Sequence, residues 1–178
     1  LRLVDVLHPD DEPGKLAFIH RMGATAIADK LPPLLEAIRR EGRRVLWVCD
    51  PMHGNTEATA NGYKTRRFDN IRGELEQAFD EAESRADVRT VVLRGSGKAF
   101  VAGADVKSFV RRIDAGKLDE IRRFTERAQA LFRRIDESAK LVIVRLDGLS
   151  LGGGSELALC ADVILATDKG TMGFPETG

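Results

Sequence analysis

The amino-acid sequence predicts an α/β protein built on parallel strands. Three observations lead there. Strand and helix signals alternate along the whole chain. Several strand signals are continuous apolar runs, the pattern of strands covered on both faces. The glycines crowd the turns between strands and helices, where α/β proteins bind ligands.

Taken in order, residues 16–20 read as a short strand. Leu31, Leu34, Leu35 and Ile38 then recur at the spacing of one helix face. Gly42 ends that helix, and residues 45–49 form an apolar strand expected to be buried. From Asp50 to about Arg67 the chain reads as a polar loop. Leu75, Ala78, Phe79 and Ala82 mark a second helix, and 90–93 a strand. Residues 105–112 look helical. So do 118–135, with Ile121, Phe124, Ala128, Leu131 and Ile135 on one face. Residues 141–144 and 163–166 are buried-type strands. A short helix over 155–160 lies between them, opened by Gly152-Gly153-Gly154.

The 178 residues allow one domain or two small ones. With 43% hydrophobic and 31% charged residues the composition is globular, which excludes wholesale disorder. The 28 Lys+Arg cancel the 28 Asp+Glu, and the balance holds in each half. No field for nucleic acid or an anionic membrane results, so neither is expected as a partner. No apolar run reaches the ~18 residues of a membrane span, and no signal-peptide pattern opens the chain. Two cysteines, Cys49 and Cys160, make no disulfide framework. A soluble, reducing, cytoplasmic setting is the expectation. A start at Leu1 and a stop at Gly178 inside a motif suggest a fragment.

Chemistry concentrates in three pieces of the C-terminal part. They are Gly97-Lys98-Ala99-Phe100-Val101-Ala102-Gly103-Ala104-Asp105, then Asp147-Gly148-Leu149-Ser150-Leu151-Gly152-Gly153-Gly154-Ser155-Glu156-Leu157, then Gly173-Phe174-Pro175-Glu176-Thr177-Gly178. A glycine-rich turn feeding a helix presents free N–H groups at the positive end of the helix dipole, where an anion or a reacting oxyanion is stabilised. The turn at 152–154 offers this, and Ala102-Gly103-Ala104 offers a second. Two such turns can aim two N–H groups at one thioester oxygen. Glu156 and Glu176 each stand beside such a turn, and paired carboxyl groups can divide acid and base work. The plainer readings stand alongside: a tight turn before a helix, and a Glu that serves the helix dipole. Spacing alone does not bring Glu156 and Glu176 together.

These three pieces, in this order, resemble the crotonase (enoyl-CoA hydratase/isomerase) family over about residues 73–178. The resemblance implies an incomplete crotonase-like sheet with outer helices, and an acyl-CoA thioester as substrate. It puts the oxyanion-hole N–H groups on Ala104 and Gly153 and the two hydratase glutamates on Glu156 and Glu176. Ala102, Gly103, Asp105 and Val106 would line the coenzyme A path. The implied activity is addition of water to a trans-2-enoyl-CoA, with no cofactor required. The family also implies a trimer, although the part that forms it falls outside the resemblance.

The N-terminal part carries Arg21-Met22-Gly23, Asp50-Pro51-Met52-His53-Gly54-Asn55-Thr56 and Gly62-Tyr63-Lys64-Thr65-Arg66. His53 follows a strand directly, where imidazole can ligate a metal, although a site needs three or four ligands. Arg21 ends a strand and can clamp a phosphate or carboxylate. A loop His bonded to backbone and a solvated Arg are the plainer readings. This stretch resembles class II DAHP synthase (3-deoxy-7-phosphoheptulonate synthase), which joins phosphoenolpyruvate and erythrose 4-phosphate, over about residues 1–80. The resemblance implies a βαβ piece of a (β/α)₈ barrel, with Arg21 as a phosphoenolpyruvate-binding arginine and His53 as a ligand to a divalent metal such as Mn. His53 would be an isolated and weak ligand, because the partners the family uses lie outside the match. Cys49 is not one of them, and is expected to be inert.

The two resemblances divide the chain into 1–72 and 73–178, with the join somewhere within 72–83. The expectation is a fusion of two truncated pieces: an enoyl-CoA hydratase-type lyase whose activity truncation can remove, or a class II DAHP synthase fragment, or a non-catalytic product. If the halves cooperate, strands from both would share one mixed sheet.

Overall fold

The computed structural model describes residues 2–177, and of Phe68 and Thr177 the backbone alone. Leu1, counted in the N-terminal resemblance, and Gly178, which closes the third C-terminal piece, lie outside the described residues. The chain folds as two compact units, Leu1–Arg85 and Ala86–Gly178.

The first unit runs α1 (Arg2–Leu7), β1 (Ala17–His20), α2 (Ile27–Arg40), β2 (Leu46–Cys49), β3 (Thr56–Ala58), β4 (Lys64–Arg66) and α3 (Phe68–Ser84). β1 and β2 pair in parallel across α2, with His20 opposite Cys49. The apolar spacing of α2 works as expected: Ile27, Leu31 and Leu35 form a buried cluster against Met22, Trp47 and Ala78. That burial offsets Pro32 and Pro33 inside the helix, each of which removes an N–H and crowds the preceding turn. The ring of Phe18 meets Trp47 edge-on at 5.5 Å.

Two expectations fail in this unit. The strand at 46–49 is not covered on both faces: Leu46 and Val48 are exposed, because within this unit helices cover one side of a two-stranded sheet. The polar stretch after Asp50 is not all loop, since β3 and β4 pair as an antiparallel hairpin. Its residues carry no apolar alternation, so backbone pairing alone marks them as strands. The expected join at 72–83 lies within α3.

The second unit runs β5 (Thr90–Arg94), β6 (Ala99–Val101), α4 (Val106–Asp114), α5 (Leu118–Asp136), β7 (Leu141–Leu146), β8 (Leu149–Leu151), α6 (Gly153–Leu159), β9 (Val163–Ala166), β10 (Thr171–Gly173) and a 3₁₀ turn at Pro175–Thr177. Two parallel three-stranded sheets result, ordered β5-β7-β9 and β10-β8-β6. Val144, Leu146 and Ala158 form the buried core, with Leu93, Phe100, Ala161 and Ile164 packed on it. Phe109 of α4 meets Phe124 of α5 at 5.4 Å. Among the described residues each sheet draws its strands from one unit, so the single mixed sheet is not formed. The architecture is α/β with a partial crotonase-like sheet.

Candidate functional site

The second unit places two glycine turns side by side. β6 and β8 are parallel neighbours, so the segments leaving their C-terminal ends emerge together. A Cβ built on Gly103 would sit 3.2 Å from the Leu151 carbonyl oxygen, and one on Gly154 would overlap the Val101 carbonyl. The overlap excludes a side chain at Gly154, and at Gly103 the left-handed φ of +95° favours glycine. Ala102–Ala104 and 151–154 thus line one strand-end edge. Among the described residues, the N–H groups of Ala104 and Gly153 find no protein acceptor. The N–H of Gly152, by contrast, is spent on the Gly173 carbonyl at 3.0 Å.

The turn is held by a buried hydroxyl. Ser155 donates to the Ser150 carbonyl (2.9 Å) and accepts from the Gly173 N–H (3.3 Å), tying α6 to β8 and β10. Gly152 takes φ +49°, ψ −122°, the conformation glycine supplies at the first central position of a type II′ turn. A Cβ at Gly152 would overlap Glu176 Oε1, and one at Gly153 would stand 3.8 Å from Glu156 Oε2. Both carboxylates therefore flank the same turn, and both side chains are exposed. Asp105 caps α4, its Oδ1 accepting the Ser108 N–H at 3.0 Å. Ala102 and Val106 are exposed beside it. Two free N–H groups and two carboxylates along one edge can hold an oxyanion and exchange protons with the atoms next to it.

In the first unit Arg21 and His53 converge on one acceptor. Arg21 Nε lies 2.8 Å and His53 Nδ1 2.7 Å from Asp50 Oδ2. Oδ1 of Asp50 accepts the N–H groups of Met52 (3.1 Å) and His53 (3.4 Å). Burial raises the Asp50 carboxyl, but the hydrogen bonds from the His53 ring and from these N–H groups outweigh it and hold it below the usual range. The loop is seated by Gly54, where a Cβ would lie 2.6 Å from the Gly23 nitrogen. Asn55 is buried beneath it. Its Nδ2 donates to the Pro51 carbonyl and to Glu74 Oε2, both at 2.7 Å, and its Oδ1 accepts the Ala24 N–H at 3.0 Å.

The divalent metal that the DAHP synthase resemblance implies for His53 does not fit these residues. Among the described residues no trio of ligating groups includes His53, and its Nδ1 is engaged with Asp50. Sequence reasoning missed Glu74, fully buried on α3, and His20, buried at the end of β1. The signal for Glu74 was a carboxylate four residues before Ala78 on an apolar helix face. Burial lowers the His20 ring below its usual range, against an opposing effect of Glu74. Burial, with Glu74 and Asp50 nearby, pushes the Cys49 thiol up to about 12 in the metal-free chain.

Comparison with known proteins matches a different family at each end of the chain. The family model for the class-II DAHP synthetase family matches residues 1–107, and that for enoyl-CoA hydratase/isomerase matches residues 68–178. The chain belongs to both families, one at each end, with the matches overlapping over 68–107. The phospho-2-dehydro-3-deoxyheptonate aldolase of Streptomyces coelicolor is 49% identical over 84 residues, covering 47% of this chain and 19% of that protein. The AroG enzyme of the same name from Mycolicibacterium smegmatis is 47% identical over 77 residues, covering 43% and 17%. Among solved structures, the enoyl-CoA hydratase of Thermoplasma volcanium superposes with a TM-score of 0.51 at 35% identity, covering 61% of this chain and 42% of that one. The Bacillus anthracis enoyl-CoA hydratase gives 0.53 at 32%, covering 60% and 40%. The chain thus spans about a fifth of the curated relatives and two fifths of the structural ones. No helix among the described residues is long and apolar enough to cross a membrane.

Proposed function

We propose that the second unit is an acyl-CoA site of the enoyl-CoA hydratase type. The observation that carries this reading is the shared edge. The free N–H groups of Ala104 and Gly153 lie on abutting turns, and Glu156 and Glu176 flank one of them. The substrate class comes from the enoyl-CoA hydratases that this unit resembles. A thioester oxygen seated on the two N–H groups would become the enolate oxygen, and donors fixed in advance stabilise that charge without reorganising.

The atoms balance as a syn hydration. Glu156 takes a proton from water, whose oxygen bonds to the β-carbon of a trans-2-enoyl-CoA. The carbon–carbon π pair moves to form the enolate. Glu176 then gives a proton to the α-carbon, leaving a 3-hydroxyacyl-CoA, and the proton taken up by Glu156 returns to Glu176 through solvent, which restores both groups. Ala102, Gly103, Asp105 and Val106 would line the coenzyme A path, with Gly103 allowing its close approach at φ +95°. Water and thioester supply every atom, so this reading needs no metal or cofactor. A cytoplasmic location belongs to the same proposal.

The test is hydration of a short enoyl-CoA, followed by loss of the conjugated thioester absorbance. Glu156→Gln and Glu176→Gln should each lower turnover ~100-fold or more while substrate binding is largely kept. Turnover unchanged in either variant removes that residue from the mechanism.

A further inference from the structure

A second cluster, in the first unit, is unrelated to acyl-CoA chemistry. His20 ends β1 and Cys49 ends β2, paired across the sheet, while Glu74 reaches them from α3. A ring nitrogen of His20, the Cys49 sulfur and a carboxylate oxygen of Glu74 all lie within 4.8 Å of one another. We propose that these three side chains bind one zinc-class divalent cation.

Two independent observations point to a missing positive partner. Glu74 is 0% exposed. Its carboxylate accepts the Met22 N–H at 2.9 Å and the Asn55 amide, but among the described residues no Lys or Arg forms an ion pair with it. Buried charges are ordinarily paired or bound to metal. In addition, His20 is 8% exposed and its Nδ1 is buried with no hydrogen-bond partner. A dication would answer both deficits at once.

The donor set selects the ion. A thiol, an imidazole and a carboxylate suit zinc, whereas calcium and magnesium prefer oxygen alone. Tetrahedral zinc, with bonds of about 2.0–2.3 Å, places its donors roughly 3.3–3.7 Å apart. Each pair of donors would therefore close by no more than about 1.5 Å. The thiol would lose its proton to solvent on binding, and a water would complete the tetrahedron. His20 also lines a cleft with Phe18, Met22, Leu34 and Trp47. Neither His53 nor Asp50 takes part.

The experiment is titration of the metal-stripped full chain with Co²⁺ as a visible probe for zinc. One Co²⁺ per chain should bind, with a thiolate-to-cobalt charge-transfer band that Zn²⁺ abolishes. Cys49→Ser should remove the band, and Cys160→Ser should keep it. His20→Gln should weaken binding by ~10-fold or more. Zinc should also shield Cys49, and not Cys160, from alkylation read by mass spectrometry, a measurement on the unmutated chain that decides the matter if Cys49→Ser fails to fold. The proposal is overturned by a natively folded chain with no thiolate band and no shielding. It is equally overturned by a band that survives Cys49→Ser, or one that depends on His53 rather than His20.

Discussion

Gly152→Ala isolates the turn on which the proposed chemistry rests. At φ +49°, ψ −122° an alanine occupies a region that costs of order 1–3 kcal/mol in backbone strain. The new Cβ would also overlap Glu176 Oε1. That oxygen is the far end of a flexible side chain, so Glu176 can swing aside at the further cost of an off-rotamer angle, about 0.5–1.5 kcal/mol. The two effects separate in a double-mutant cycle. Introduced into Glu176→Ala, the glycine change should cost the backbone strain alone, and the cycle should close with a coupling of about 0.5–1.5 kcal/mol. Urea unfolding followed by far-ultraviolet circular dichroism measures the stabilities, and enoyl-CoA hydration measures the displacement of Glu176. Equal destabilisation in both backgrounds, with hydration unchanged by Gly152→Ala, would refute the placement of Glu176 on this turn.

Three further outcomes are expected. Gly153→Pro deletes the N–H at the first position of α6, where a helix tolerates proline; hydration should fall ~10²–10³-fold with helix content kept, and an unchanged rate would take Gly153 out of the oxyanion hole. Asn55→Ala strands the Pro51 carbonyl, the Ala24 N–H and a carboxylate oxygen of Glu74 together, so a loss of roughly 3 kcal/mol or more in thermal or urea unfolding is expected. In the metal-free chain, burial keeps the folded His20 ring below its usual 6.5; the unfolded chain takes up that proton first, so stability is full above pH 6.5 and falls as pH drops through the folded value. His20→Gln should flatten this slope, and an identical slope in the variant would exclude His20 as its source.

How far the sequence was readable follows from range. Helices with apolar spacing, such as 27–40 and 118–136, are written locally and were legible. β6, β8 and β10 are three residues each, too short to show a period, and only their parallel partners define them. The abutting turns at 103 and 152 were legible as glycine clusters, but their contact depends on the β6–β8 pairing. Glu74, Asn55 and His20 were not legible as a group. They sit on a helix, in a loop and at a strand end, and a single sequence carries no sign that three such positions meet.

The two units differ in how much chain their chemistry needs. An oxyanion edge is made of backbone, and two neighbouring parallel strands with glycine turns suffice to build it. A barrel-type site instead gathers side chains from the ends of several strands. Here two such ends, those of β1 and β2, bring Arg21, Asp50 and His53 together, and the three satisfy one another: one carboxylate oxygen meets both the guanidinium and the imidazole. What stays unsatisfied in this unit lies one layer deeper, in the fully buried Glu74 carboxylate and the unpartnered His20 nitrogen. Unmet polar demand, and not position in a motif, is therefore the better guide to where the first unit would bind a ligand.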